Sequence, residues 1–398
     1  MLPPNPPFAA RASWLEIDAA ALRHNIGVFR QVVGPGVRLG GVLKGNAYGH
    51  GLRQVLPTVH EWCDSLYVVD PHDGLAVRAF EKESGAPVRQ LLVIGAVDAE
   101  EAVELARAGV DVVLTDPGQA SFVPALRAAG VKKLRAHVHL DTGLGREGFT
   151  PADLPAGVAW IADAKDVIEV VGVLSHFANT EDVTEQTYAT QQLEAFDAGL
   201  EKLRAALAIA GPLERHISAS AAALLLPRAR LDAVRIGISL YGLWASNETR
   251  LSARAVLGDV PALRPALSWR CTSQLTKWLP AGSYVGYGCT YRCPAETRIA
   301  VLPVGYFDGY PRILSGRAHV LVDGQRCPVL GRVMMNHLVI DVTRAAKDDG
   351  PVTATLMGRD GAEQLTADQL AGWAQTIHYE IVTRLGVHLR RAVIQSPS

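Results

Sequence analysis

The chain is short of cysteine, aromatic residues, net charge and long apolar runs, and each shortage removes a class of protein. Five cysteines stand among 398 residues (Cys63, Cys271, Cys289, Cys293 and Cys327), an odd number with no CxxC pair. Reduced thiols fit that pattern better than a disulfide framework or a zinc site. A net charge of −1 offers no electrostatic attraction to nucleic acid or to an anionic membrane. No apolar run is long enough to span a bilayer, and the start, MLPPNPPFAARASW, has no apolar h-region. A cytoplasmic protein that binds neither nucleic acid nor membrane is therefore expected. HExxH, the P-loop and DxD are all missing, so no metal site is expected.

What the chain does have is apolar residues, 48% of the total, enough for a large core. Short β-branched runs end near Lys44, Asp70, Gly95, Thr115, Asp141, His176, Ser218 and Arg235. Alanine- and leucine-rich segments with helical spacing lie between them, such as AEEAVELARAG (99–109). Eight strand-then-helix units predict an α/β fold, a (β/α)8 TIM-type barrel, with its active site at the C-terminal strand ends. A doubly wound open sheet is the alternative, but the GxGxxG turn expected after its first strand is missing. From about Ser252 the texture changes to strands such as CTSQLTKWL and HLVIDVT, separated by Gly, Pro and Asp turns. The predicted organisation is a flexible Pro-rich tail over 1–12, the barrel over 13–251 and a mostly β domain over 252–398.

On such a barrel the polar strand ends share one rim. Lys44 ends the first strand, Asp141 to Arg146 follow the fifth, His176 ends the sixth, Ser218 and Ser220 follow the seventh, and Arg235 and Gly237 the eighth. Singly, each has a structural explanation: a snorkelling lysine, a core histidine, serines capping a helix. Chance placement of all of them on one rim is much harder to accept. An ammonium at Lys44 loses hydration, so it must be paired, neutral or used in a covalent Schiff base. Backbone donors at Ser220, Gly237 and Ile238 lie where barrels commonly bind phosphate. Pyridoxal 5'-phosphate on the lysine would suit this set.

Eight segments, VLKGNAYGHG, HLDTGLGREGF, SHFANTED, VRIGISLYG, YVGYGCTY, VLPVGYFDGYPR, GRVMMNHLVIDVT and IHYEIVTRL, occur in an order that resembles alanine racemase over nearly the whole chain. The resemblance implies a barrel plus a C-terminal β domain, pyridoxal 5'-phosphate as cofactor, an amino-acid substrate and a head-to-tail homodimer with active sites at the interface. It implies that Lys44 holds the cofactor covalently and serves as one catalytic base. Tyr287, in VGYG, would be the second base, on the opposite face of the α-carbon and supplied by the neighbouring subunit. His176 and Arg235 match the pair linking that tyrosine to the cofactor ring. Tyr48, Ser220, Gly237, Ile238 and Tyr379 match the phosphate cradle. Arg146 matches the arginine near the cofactor's phenolic oxygen and the substrate carboxylate, and Met335 and Asn336 fall beside that carboxylate. Tyr306, Arg312, Arg332 and Ile377 match an access corridor.

Three departures from the family pattern stand out. Ala219-Ser220 replaces the usual Asn-Ser. His139 stands where many members carry a carbamylated lysine, and Met334-Met335-Asn336 replaces Cys-Met-Asp. With no carbamate at 139, Arg146 is expected either to be held by another anion, such as a bound chloride, or to be looser, and a broader-specificity, serine-accepting racemase becomes the alternative to a strict alanine enzyme. A decarboxylase of the same fold type would need a Glu-Pro-Gly-Arg phosphate signature, which the chain lacks, and would leave Tyr287 without a role. A non-catalytic cofactor carrier would resemble the barrel alone.

Overall fold

The computed structural model describes residues 13–259, 262–345 and 350–396, so the expected tail over 1–12 lies outside the described residues. Two compact units emerge. One takes the residues up to Ala21, Gly45–Val55 and those from Pro265 onward, and contains the first strand, β1 (Ser13–Asp18); the other takes Leu22–Lys44 and Leu56–Arg264. The expected boundary at 251/252 falls inside the helix Asn247–Leu257.

The second unit is a nearly closed parallel barrel. Its strands are β2 (Arg38–Val42), β3 (Ser65–Val68), β4 (Gln90–Val93), β5 (Asp111–Leu114), β6 (Leu134–His139), β7 (Ile168–Leu174), β8 (Glu214–His216) and β9 (Ala233–Ile236). They pair in the order β8-β7-β6-β5-β4-β3-β2-β9. Hydrogen bonds from Asp232 N to Arg215 O (3.1 Å) and from Arg235 N to Ser218 O (2.9 Å) join the two ends. Strands such as β3, β5 and β9 are buried along their whole length, as a parallel sheet covered on both faces requires. The covering helices present apolar stripes; Thr187–Leu207 buries Phe196, Leu200, Leu203 and Leu207 at helical spacing. Two glycines open the barrel interior to polar rings. A Cβ at Gly40 would lie 2.1 Å from Tyr67 Cε2, and one at Gly172 2.2 Å from His137 Nδ1.

The other unit is mostly β. Its strands are β1, β10 (Leu267–Thr272), β11 (Leu275–Leu279), β12 (Tyr284–Val285), β13 (Tyr291–Arg292), β14 (Thr297–Leu302), β15 (His319–Val322), β16 (Gln325–Leu330), β17 (Leu338–Asp341), β18 (Thr353–Asp360), β19 (Glu363–Leu365) and β20 (Arg390–Ile394). All but the β12–β13 hairpin belong to one sheet, ordered β11-β14-β17-β16-β15-β18-β10-β1-β20 with β19 against β18. β1 alternates buried and half-buried residues, the period of a sheet with one solvated face, and it pairs with β10 and β20. Val285, Cys293, Ile299, Leu330 and Val339 pack a core beneath the segment that carries Tyr287. Among the described residues no helix is long and apolar enough to cross a membrane.

Candidate active site

Lys44 stands two residues past the end of the barrel strand β2, and the chain then makes a left-handed turn. Gly45, Asn46, Ala47 and Tyr48 have φ of 62°, 54°, 53° and 51°, closed by bonds from Gly49 N to Gly45 O (2.9 Å) and from Gly51 N to Asn46 O (2.9 Å). Non-glycine residues in this conformation cost roughly 1–2 kcal/mol each, and asparagine bears it best. Asn46 also accepts the Leu52 N–H at its Oδ1 (2.8 Å), and Arg391 donates to the Gly49 carbonyl from Nε (3.1 Å) and Nη2 (3.0 Å). The glycines after the lysine are thus demanded by the hand of the turn and by the close backbone at Gly49.

The Lys44 side chain reaches solvent, yet surrounding protein strips much of the water from its ammonium. That desolvation, then the charges of Arg146 and Arg235, lowers its pKa, with Glu147 opposing. Arg146 is carried by a loop whose N–H groups at Gly143, Leu144 and Gly145 all donate to Asp141 Oδ1 (2.9, 3.0 and 3.2 Å). Its Nε donates to Glu147 Oε2 at 2.8 Å, so the next residue along the chain sets a carboxylate beside Arg146. His139 is buried; desolvation and then Arg235 and Arg146 push its pKa down to about 3, so the ring is neutral. His176 is likewise held well below the usual range, by burial and then by Arg235.

Arg235 is buried on β9 and richly bonded. Nη1 donates to His216 Nδ1 (2.7 Å) and His216 O (2.8 Å), while Nη2 donates to Ser175 O (2.7 Å), His176 Nδ1 (3.2 Å) and Ile217 O (3.2 Å). Nε–H remains as its one donor without a protein partner among the described residues. Nearby, Ser220 Oγ accepts the Gly237 N–H at 3.1 Å. The helix Ser220–Leu225 and the turn Ile238–Tyr241 both begin without a side-chain N-cap, because Ala219 and Gly237 precede them. Uncapped N–H groups at two adjacent starts, one donor on a guanidinium and an amine of lowered pKa fit a phosphorylated pyridine aldehyde: anion, ring nitrogen and carbonyl each have a counterpart.

The remaining expected residues belong to the β unit. Tyr48 and Tyr379 come together there, ring centroids 6.2 Å apart. Tyr287 opens a short 3-10 turn after Gly286 (φ 76°) and is 72% exposed. Met335 and Asn336 occupy the exposed tip of a turn closed by Met334 N to His337 O (2.9 Å), and the Met335 carbonyl accepts the Phe307 N–H (3.0 Å). Tyr306, Arg332 and Ile377 are also exposed.

Sequence reading missed Glu147, His137, His216, Ser175 and Tyr67. One signal was available: in AHVHLD the two histidines stand two apart on a strand, so burying one face buries both rings.

A barrel rim that sets a desolvated lysine beside two arginines and uncapped backbone donors has the make-up of an enzyme site for an anionic carbonyl compound. The alanine racemase N-terminal domain family matches residues 17–244 and the alanine racemase C-terminal domain family residues 266–393. An alanine racemase of Symbiobacterium thermophilum is 40% identical over 379 residues, covering 94% of both chains. One from Leptospira interrogans is 35% identical over 392 residues, covering 96% of both. The crystal structure of alanine racemase from D-cycloserine-producing Streptomyces lavendulae superposes with a TM-score of 0.86 at 32% identity, covering 98% of this chain and 99% of that one. The chain belongs to the alanine racemase family. It is an isomerase that interconverts the enantiomers of alanine.

Proposed function

We propose that the reaction runs on pyridoxal 5'-phosphate held by Lys44, with Lys44 and Tyr287 as proton donor and acceptor on opposite faces of the substrate α-carbon. The observation that carries this reading is the lysine's setting: desolvation, Arg146 and Arg235 all favour its neutral form, the form that can bond a carbonyl and accept a proton. When bound, the cofactor draws electrons from the α-carbon and loosens its proton.

The rest is done by the chain. Backbone N–H groups at Ser220 and Ile238 would hold the phosphate, with Gly237, whose own N–H goes to Ser220 Oγ, leading into the turn; the family resemblance gives Tyr48 and Tyr379 the same phosphate-facing role. Arg235 gives its remaining N–H to the ring nitrogen. Burial lowers its pKa to about 10, so at neutral pH it still keeps its own proton and leaves that nitrogen unprotonated. By keeping its own proton, Arg235 would favour prompt return of a proton to the α-carbon over side reactions. Arg146 takes the substrate carboxylate, and His176 passes the influence of Arg235 toward the phenol. Tyr287, Met335 and Asn336 would come from a second copy of the chain, a role supported by their exposure, which makes the homodimer obligatory. A cytoplasmic location, where free amino acids are made and used, is part of the proposal.

Mixing inactive Lys44→Ala and Tyr287→Ala chains under exchange conditions tests the shared site. Regained racemisation is expected, since one site per heterodimer would carry both bases. Demonstrated heterodimers without activity would place both bases on one chain. Borohydride should fix the cofactor on the peptide containing Lys44; a label elsewhere would overturn the assignment.

A further inference from the structure

Beneath Arg235 the barrel interior holds a line of polar side chains that the reaction as described does not use. His216 Nδ1 accepts from Arg235 Nη1 at 2.7 Å, and His216 Nε2 lies 2.9 Å from His137 Nδ1. His137 Nε2 faces Asp111 Oδ2 at 3.6 Å, an electrostatic approach rather than a hydrogen bond, and has no hydrogen-bond partner among the described residues. Both histidines are fully buried and their rings meet edge to face, with centroids 5.0 Å apart. Room for the line is built into the backbone. His137 sits at a register shift between Ala136 and His137, and its partner across the ladder is Gly172, where a Cβ would collide with Nδ1.

The proton positions along this line follow from its two ends. A guanidinium only donates, so His216 Nδ1 carries a lone pair. A neutral His216 then has its proton on Nε2 and donates it to His137 Nδ1. His137 in turn carries its proton on Nε2, directed at the Asp111 carboxylate, which Arg135 Nε anchors at 2.9 Å. Burial raises the Asp111 pKa, but the N–H groups of His137 and Arg135 outweigh it and hold the carboxyl below its ordinary value, so the line ends in a negative charge. Reversing the tautomers would point a lone pair at that carboxylate and, at the other end, set two N–H donors against each other. Arg235 would have to withdraw.

We propose that Asp111, His137 and His216 form a buried relay that fixes the tautomer of His216 and so holds the Arg235 guanidinium with Nε–H presented to the cofactor ring. The three are positioning residues, and none touches substrate. The relay's role in catalysis rests on the cofactor-facing role given to Arg235 above, whereas its tautomers do not.

The test uses holoenzyme labelled with ¹⁵N-histidine. Two-bond ¹H–¹⁵N correlation should show His137 and His216 both as Nε2–H tautomers at neutral pH. A proton on His216 Nδ1 would overturn the relay without touching the racemase assignment. Asp111→Asn removes the charge but keeps the shape, and an amide can meet His137 with either its oxygen or its NH2. The tautomers should then mix, the cofactor's visible absorption should shift, and kcat should fall about tenfold with KM changing much less. Asp111→Glu should recover part of all three, and Asp166→Asn, in an exposed ion pair with Arg127, should change none of them. In a His216→Asn background, where an amide oxygen can serve Arg235 unaided, Asp111→Asn should add nothing further. An unshifted spectrum with unchanged kcat in folded Asp111→Asn would refute the relay. So would activity lost only in proportion to folded protein. Racemisation or cofactor absorbance missing from the wild type would instead refute the proposed function. If Asp111→Asn fails to fold, the wild-type tautomers still decide.

Discussion

The backbone at Gly49 passes so close to Val382 that a Cβ there would fall 1.8 Å from the Val382 carbonyl oxygen. Gly49 also has φ of 80°, so both space and backbone hand demand glycine, whereas Gly45 has φ of 62° with nothing within 4 Å of its would-be Cβ. Gly45→Ala should cost only about 1 kcal/mol, the left-handed penalty alone. Gly49→Ala should cost several times more and abolish cofactor retention, because the left-handed turn after Lys44 must shift. Urea midpoints and bound-cofactor absorbance measure both. Equal effects at the two positions would mean that the crowding at Gly49 is relieved cheaply.

Arg146 and Glu147 form an exposed pair, so Glu147→Gln should change stability by no more than about 1 kcal/mol. Its effect on Lys44 is specific in sign. Glu147 raises the lysine pKa, so its loss lowers that value further and enlarges the neutral fraction at a given pH. The pH midpoint for capture of pyridoxal phosphate by cofactor-free protein should move to lower pH, read by stopped-flow absorbance. A move to higher pH would contradict the stated role of Glu147.

The barrel could be read from the sequence because each buried strand is a short apolar run bounded by helical spacing, and the rim because function crowds polar residues at those strand ends. Lys44, Arg146, His176 and Arg235 were legible in that way. The hand of the turn at Gly45–Tyr48 was not, since a glycine-rich string announces a turn without its sign. The His137–His216 contact joins residues 79 positions apart, and nothing local to either one encodes it. β1 lies within the span 13–251 expected for the barrel, yet it pairs with β10 and β20, partners far along the chain that nothing local to β1 encodes.

Three buried histidines and the half-buried His176 predict an early onset of acid instability. Burial lowers His50 to about 4 and His139 to about 3, and holds His176 and His216 well below 6.5. Since each binds a proton more readily unfolded than folded, their stability contribution is complete above pH 6.5 and is lost as pH falls from there toward the folded values. At pH 5 His50 and His139 each account for about 2 kcal/mol of loss, and His176 and His216 add in the same direction. Urea midpoints should therefore drop between pH 7 and pH 5, before the lowered carboxylates Asp111 and Asp232 begin to titrate. His139→Gln should make that drop smaller. The same drop in the variant would show that His139 is protonated in the fold.

His139 and Asn336 make substrate breadth a testable question. A carbamylated lysine would bring negative charge to position 139, but a buried, neutral imidazole stands there, and the carboxylate serving Arg146 comes from Glu147 instead. Asn336, at the exposed turn tip, replaces a carboxylate with an amide that both donates and accepts. Both changes make the surroundings of the proposed substrate carboxylate less negative and offer a hydroxylated side chain more hydrogen-bonding choices. Serine should accordingly be racemised at a measurable fraction of the alanine rate. His139→Lys alone would place an ammonium beside two arginines, a costly arrangement unless bicarbonate converts it to the carbamate, so activity should depend on added bicarbonate. In the doubly restored His139→Lys, Asn336→Asp enzyme, assayed with bicarbonate, the alanine-to-serine ratio of kcat/KM should rise by about fivefold or more. An unchanged ratio in folded, active protein would show that neither residue sets the choice between the two amino acids.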